Sequence, residues 1–162
     1  MTPEERSLKM EELNNSHSEL IEALGQFPRE MWKFKSVPVA WSIHEIVNHL
    51  ADADLFLSQR SRQCIAEPGT TVGVYDQDVW VDRLFCDTLN TDNALALIGA
   101  ARRSLWELFG LLPAEVWAHT VHHPESGILG LEELLDYLVE HVRIHINQMR
   151  RNFDIWQKEN RS

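Results

Sequence analysis

The 162-residue chain has few of the features that mark secreted, membrane-spanning or nucleic-acid-binding proteins. Its two cysteines, Cys64 and Cys86, form no C-x-x-C pair, which excludes a disulfide framework and favours a reducing compartment. Lysine and arginine total 15 against 25 acidic residues, and the net charge of −10 opposes binding to nucleic acid or an anionic membrane. Apolar runs of transmembrane length are missing, as is the apolar core of a signal peptide. We therefore expect a cytoplasmic protein.

Glycine and proline are also scarce, at 7 and 6 residues, whereas 44% of the chain is hydrophobic. That hydrophobic fraction excludes a disordered chain, and the length is sufficient for a core without disulfides or structural metals. We expect one domain over 1–162.

The spacing of apolar residues predicts an all-α four-helix arrangement with long connecting loops. Thr2 and Ser42 each precede a glutamate by three positions, the pattern of a capping box that begins a helix. Segment 67–90 is predicted to be a loop with a possible short helix at 78–85, and segment 118–130 a loop rich in helix breakers. The four predicted helices run from Pro3 to Gly25, from Ile43 to about Ala66, from about Thr91 to Gly110, and from Leu131 to about Gln157.

A short pattern, P-x-E-apolar-W, occurs at 28–32 and again at 113–117, each time before a predicted helix. Two readings remain open at this point. The chain either contains two similar helix pairs related by a pseudo-twofold axis, or it shows only the general likeness of amphipathic helices.

The pattern of most chemical interest is H-x-x-x-H at His141 and His145 in the last predicted helix. Residues i and i+4 share one face of a helix, and this face continues the apolar stripe, so both rings should point inward. His49 also falls on the inward side of its helix. The spacing alone is weak evidence, because 8 histidines in 162 residues give roughly 0.4 such pairs by chance. The alternatives are hydrogen-bonded core histidines and an open three-nitrogen metal site.

The remaining histidines and cysteines give weaker signals. His122 and His123 lie in the predicted 118–130 loop, where packing or surface roles are the simpler reading and lining a site mouth is the alternative. His44, in a first helical turn, is expected to be exposed. Cys64 and Cys86 lack the basic surroundings of a reactive thiolate and are expected to be structural.

Two separated segments resemble the DinB/YfiT-like proteins. Residues 41–54, WSIHEIVNHLADAD, are similar to that family's W-[ST]-x-x-E…H-L segment. The run H-P-E-S-G at 123–127, followed by H-x-x-x-H-x-x-Q ending at Gln148, is similar to its C-terminal pattern. The two motifs occur in the family order and span nearly the whole chain. One departure is Val142, where many members carry an acidic residue, and another is that 67–90 matches no motif.

The resemblance implies a four-helix bundle, often a homodimer, with a divalent metal held by His49, His141 and His145. Zinc and nickel both suit imidazole ligands. Three neutral imidazoles leave the charge of such an ion uncompensated, which lowers the pKa of a bound water or thiol. Asp52 and Glu140 are candidate proton acceptors.

The family includes thiol-dependent S-transferases that use bacillithiol, mycothiol or glutathione, a maleylpyruvate isomerase branch and metal-dependent hydrolases. The leading hypothesis is therefore a metal-dependent enzyme that transfers a small-molecule thiol to an electrophilic substrate. Alternatives are a metal-dependent hydrolase, a non-catalytic metal-binding bundle and a purely structural helical interaction protein.

Overall fold

The structure, a computed structural model, describes residues 1–160 and is mostly helical, as predicted. Positions 161 and 162 of the predicted domain lie outside the described residues. No helix within 1–160 combines the length and apolar character needed to cross a membrane. The α-helices are α1 Pro3–Gly25, α2 Ile43–Ala66, α3 Gln77–Arg83, α4 Thr91–Gly110 and α5 Leu131–Asn160; two 3₁₀ helices span Arg29–Met31 and Ala114–Ala118, and two strands, β1 and β2, span Thr120–His123 and Gly127–Gly130.

The first two long helices, α1 and α2, have well-defined starts. In α2 the Ser42 hydroxyl accepts a hydrogen bond from the Glu45 backbone N–H at 3.2 Å, and the Glu45 carboxylate accepts one from the Ser42 backbone N–H at 2.8 Å. Thr2 and Glu5 form the same reciprocal pair at the start of α1. These two predicted capping boxes are confirmed. The one on α2 fixes where the helix that carries His49 begins.

Four long helices form the bundle, and each packs on two others: α2 lies between α4 and α5, and α1 contacts the same two helices from the opposite side. Fully buried leucines and isoleucines fill the interior, including Leu20, Ile46, Leu50 and Ile98 at one end and Leu13, Leu105, Leu131 and Leu138 at the other. The direct packing of α2 on α5 brings His49 towards the pair on α5.

The segment 118–130 is not the irregular loop that the sequence predicts. It contains an antiparallel hairpin in which Thr120 pairs with Gly130 and His123 with Gly127, and the turn residue Gly127 has a φ of +79° that favours glycine. The loop after α2 joins this hairpin, because the Val72 N–H donates to the His122 carbonyl at 2.9 Å. Strands of four residues carry too little alternation to be read from a single sequence, which explains the error.

The two P-x-E-apolar-W segments adopt similar local structures. Each forms a 3₁₀ helix directly after its proline, Pro28 or Pro113. This local likeness agrees with an internal repeat, while the pseudo-twofold relation stays a prediction.

A charged pair lies inside the bundle. Arg102 on α4 donates from Nε and Nη2 to the two carboxylate oxygens of Asp54 on α2, at 2.6 and 2.7 Å, and from Nη1 to the Ser16 hydroxyl on α1 at 2.7 Å. Arg102 is 2% exposed and Asp54 is completely buried. Three helices therefore meet at one guanidinium.

Candidate metal centre

The structure brings His49, His141 and His145 together. One ring nitrogen from each lies within 4.8 Å of the other two, and all three side chains are buried. His49 comes from α2, and the i, i+4 pair comes from the facing turn of α5. The inward orientation expected from the helical stripes is thus observed; ligation of a metal by these residues stays a prediction.

Hydrogen bonds define the state of one ring. His145 Nδ1 lies 2.8 Å from Gln148 Oε1, an acceptor, so Nδ1 carries the proton and Nε2 keeps its lone pair in the neutral ring. That Nε2 lies 3.1 Å from His141 Nε2. Gln148 is the last position of the H-x-x-x-H-x-x-Q pattern, so the pattern includes both the ring and the residue that orients it.

Two ring nitrogens of the cluster, His49 Nε2 and His141 Nδ1, are buried without a hydrogen-bond partner in residues 1–160; His44 Nε2, outside the cluster, is a third such nitrogen. A buried polar atom without a partner is costly, which makes such atoms candidates for contact with a ligand.

Burial keeps the three rings neutral. Desolvation lowers the pKa of His49 and His141 to about 3, and repulsion from the neighbouring His145 acts in the same direction. Desolvation also lowers the pKa of His145, against the opposing effect of the Gln148 hydrogen bond. Neutral imidazole is the form that binds metals.

These features fit a divalent cation. Nitrogens bound to one ion at about 2.0–2.1 Å lie roughly 3 to 4 Å apart, which is compatible with the 3.1 Å separation between His141 and His145. His49 Nε2 is unpartnered, and Gln148 fixes the lone pair of His145 on Nε2. Imidazole donors of this kind suit zinc, nickel or copper better than magnesium or calcium.

Aromatic rings enclose the cluster on two sides. Trp41 packs against His49 and His145 with centroid distances of 4.7 and 6.1 Å, and Tyr137 stacks on His141 at 5.1 Å. Sequence reasoning missed Tyr137, although its position four residues before His141 was the available signal.

The two predicted proton acceptors differ in their surroundings, and neither belongs to the group of nitrogens within 4.8 Å. Asp52, one turn after His49, is partly buried, burial raises the pKa of its carboxyl, and the Cys86 thiol lies 4.0 Å from it. Glu140 forms ion pairs with Lys9 and Arg143, each at 3.1 Å. These pairs make Glu140 the weaker candidate base.

A cavity of about 640 Å³, a volume typical of small-molecule sites, is lined on α5 by residues up to Glu140, next to His141, but the three clustered histidines are not among its lining residues. Tyr137 contributes to its wall and also stacks on His141, so the cavity and the cluster share this residue. His123 lines the cavity too; its Nδ1 accepts hydrogen bonds from the backbone N–H groups of Glu125 and Ser126, which leaves the ring proton on Nε2.

The other predictions for histidine and cysteine have mixed outcomes. His44 is half-buried rather than exposed, because its Nδ1 lies 2.8 Å from the Thr91 hydroxyl on α4. His122 is exposed. Cys64 and Cys86 are fully buried, and burial raises the pKa of both thiols to about 11, as expected for structural cysteines.

Comparisons with known proteins agree with this architecture. YfiT from Bacillus subtilis, described as a candidate metal-dependent hydrolase with an unusual four-helix bundle topology, superposes with a TM-score of 0.87 at 20% identity, covering 94% of this chain and 87% of YfiT. The mycothiol-dependent maleylpyruvate isomerase superposes with a TM-score of 0.70 at 15% identity, covering 88% of this chain and 60% of the isomerase. The fold is therefore the YfiT-type bundle.

Sequence relatives point the same way. A candidate metal-dependent hydrolase of Oceanobacillus iheyensis is 26% identical over 106 residues, which cover 65% of this chain and 61% of that protein. YfiT is 25% identical over 107 residues, covering 65% of this chain and 60% of YfiT. The matched region thus spans about three fifths of these relatives. The DinB superfamily model matches residues 12–149, a range that includes all three clustered histidines, and the chain belongs to the DinB superfamily.

Proposed function

We propose that this protein is a metal-dependent enzyme that binds a divalent cation through His49, His141 and His145 and acts on a small molecule in the adjacent cavity. The observation that carries the proposal is the buried cluster itself, with its unpartnered His49 nitrogen and its Gln148-oriented His145 ring. A structural metal site of this size normally has four protein ligands, whereas three leave a position for water or substrate.

Hydrolysis is the first candidate reaction, because both sequence relatives carry that description. A divalent cation with three neutral ligands supplies a Lewis acid and lowers the pKa of bound water. The chain's own residues would provide the rest of the site. Asp52 is the preferred proton acceptor, because burial raises the pKa of its carboxyl and it lacks the ion pairs that occupy Glu140. His123 presents an Nε2–H donor to the cavity, and Tyr137 fixes the His141 ring by stacking.

Transfer of a small-molecule thiol is the second candidate. The same bundle occurs in the mycothiol-dependent maleylpyruvate isomerase, which supports the thiol hypothesis at the level of fold. The two buried cysteines are not suited to act as the nucleophile, since burial raises the pKa of both thiols. A thiol substrate would therefore have to come from outside the chain.

Metal content tests the proposal directly. Untagged protein should contain close to one divalent ion per chain by elemental analysis, and zinc or nickel should raise the melting temperature of chelator-treated protein. His49→Ala and His145→Ala should abolish both effects. His122→Ala is the matched control, because this exposed histidine lies outside the cluster and should leave metal content unchanged. Absence of bound metal, together with no thermal shift, would refute the proposal.

Activity assays then separate the reactions. Metal-loaded protein should hydrolyse members of a panel of activated esters and amides, or conjugate thiols to electrophiles. Either activity should disappear in His145→Ala and persist in His122→Ala. Stoichiometric metal without turnover in either panel would instead identify a non-catalytic metal-binding bundle.

A further inference from the structure

The cavity beside the cluster contains one guanidinium whose position suggests what it binds. Arg60 lies on α2 eleven residues after His49, three helical turns along the same face, so their backbones are separated by about 16 Å along the helix axis. Tyr137, one turn before His141 on α5, lines the same cavity. The cavity therefore contacts both helices, from Arg60 and Leu57 on α2 to Tyr137 and Glu140 on α5, and it ends short of the three histidines, which do not line it.

The Arg60 side chain is held in place but not saturated. Its Nε and Nη2 donate to the Gly73 carbonyl at 3.2 and 2.7 Å, and its guanidinium lies 5.4 Å from the centre of the Phe56 ring. Within residues 1–160 these are its only hydrogen bonds, so Nη1 has no partner; it forms no ion pair there, although the charge of Glu125 acts on it. A half-buried guanidinium with free N–H groups is suited to bind a carboxylate in two-point geometry.

Five carboxylates also line the cavity, but four of them are already bonded. Three form ion pairs at the rim, and the fourth accepts a backbone hydrogen bond. These four interactions are Glu132 with Arg6 and the amino terminus, Asp136 with Lys9, Glu140 with Lys9 and Arg143, and Glu133 with the Gly130 N–H. Glu125 is the one with no partner for its carboxylate in the described part of the chain, and it is exposed.

Most of the remaining lining residues are apolar or aromatic, and Gln77, His123 and Ser126 are the polar ones. Leu57, Val74, Leu129 and Leu134 line the cavity. Tyr75 and Tyr137 supply two flat rings, and Tyr75 packs against Phe56 and Trp80 at centroid distances of 4.4 and 4.6 Å. The cavity thus offers apolar and aromatic surface together with one guanidinium that has no carboxylate partner, which suits ligands that combine an apolar body with one negative charge.

We propose that the cavity binds a small carboxylic acid with an apolar or aromatic body, its carboxylate on Arg60 and its opposite end towards the three histidines. This assignment names a substrate class for the proposed function. Only the orientation of the ligand's other end towards the histidines rests on that function. Arg60 is thus the residue that determines specificity for the ligand's carboxylate. The negative charge of Glu125 weakens the binding of that carboxylate.

Paired probes on chelator-treated protein test the assignment without any metal. Calorimetry or ligand-observed NMR would compare 3-phenylpropanoate with 3-phenylpropanamide, and hexanoate with hexanamide. Wild-type protein should bind each acid about tenfold or more tightly than its amide, since a hydrogen bond to a charged group contributes about 1.5–3 kcal/mol. Arg60→Met should abolish the preference while keeping the weak binding of the amides, which shows that the cavity is still formed.

Two further variants act as controls. Arg62→Met removes a nearby arginine of α2 that bonds Ser58 and Ser104 and does not line the cavity, so the preference should persist. Glu125→Gln should strengthen binding of the acids a few-fold by removing an opposing charge. Equal binding of acid and amide by the wild type, no binding of either acid at millimolar concentration, or a preference retained in Arg60→Met would overturn the assignment.

The outcome is separable from that of the metal proposal. Arg60→Met should bind zinc or nickel as the wild type does, because Arg60 is three turns from His49. If Arg60→Met loses the preference for acids but still binds metal, the metal proposal is unaffected. If wild-type protein binds neither zinc nor nickel but still prefers the acids, the metal proposal is refuted and the Arg60 assignment stands.

Discussion

Replacing Arg102 with methionine would leave the Asp54 carboxylate buried without its partner. Asp54 is completely buried and accepts two hydrogen bonds from Arg102, at 2.6 and 2.7 Å, while the third guanidinium nitrogen donates to Ser16. Removing one member of such a pair typically costs about 3–5 kcal/mol, because the remaining charge stays desolvated. For a chain of this length, each kcal/mol lowers the melting temperature by about 2–4 °C. We therefore expect a decrease of roughly 6–20 °C.

The loss should depend on pH with a definite sign. Burial raises the pKa of the Asp54 carboxyl and Arg102 opposes this effect, so the variant should have a still higher folded-state pKa. A group whose folded pKa exceeds its unfolded value of about 3.9 stabilises the fold once it is protonated. The stability deficit of Arg102→Met relative to wild type should therefore shrink as the pH falls from 7 towards 4.

Urea unfolding of metal-free wild type, Arg102→Met, Asp54→Leu and the double variant would measure these effects. The double variant should be more stable than the sum of the single losses predicts, because it leaves no unpaired charge. A single-variant loss below about 1 kcal/mol would refute the reasoning, as would additive losses or a deficit that grows in acid.

Three other substitutions test local features. Gln148→Leu removes the acceptor of the His145 Nδ1 proton and should lower metal affinity about 10- to 100-fold in a chelator competition; unchanged affinity would contradict the orienting role. Gly99→Ala places a Cβ about 2.8 Å from Cε1 of His17 and should cost about 1–3 kcal/mol in urea unfolding, most of it recovered when His17 is also replaced by alanine. Phe85→Asn should raise stability by about 0.5–1 kcal/mol, because Phe85 has a φ of 56° and is largely exposed; a lower melting temperature would argue against strain there.

Helix boundaries were the part of the fold most accessible from sequence. The capping boxes at Thr2 and Ser42 are local signals, readable within four residues, and both helices begin where those signals predict. The β1–β2 hairpin was missed because its pairing depends on Gly127 and on the loop after α2, not on strand-like alternation. The Arg102–Asp54 pair joins positions 48 residues apart and leaves no trace in local periodicity.

The candidate site divides in a similar way. The shared face of His141 and His145 follows from helical geometry alone. Their meeting with His49 requires α2 to pack on α5, which the family resemblance supplied and periodicity did not. Tyr137 and Arg60 belong to the cavity only because two helices and two loops converge there, so no single segment identified them.

The hydrogen bonds between the hairpin and the loop after α2 have a consequence for how this protein can diversify. Because His122 exchanges backbone hydrogen bonds with Thr70 and Val72, the hairpin and the loop after α2, which form two walls of the cavity, are joined to each other, whereas the clustered histidines lie on α2 and α5. Insertions or replacements in these walls can reshape the cavity without disturbing the helices that hold the rings. Substrate choice and metal binding can therefore evolve independently, and grafting the paired walls from a relative as one unit should transfer ligand preference while metal content stays the same.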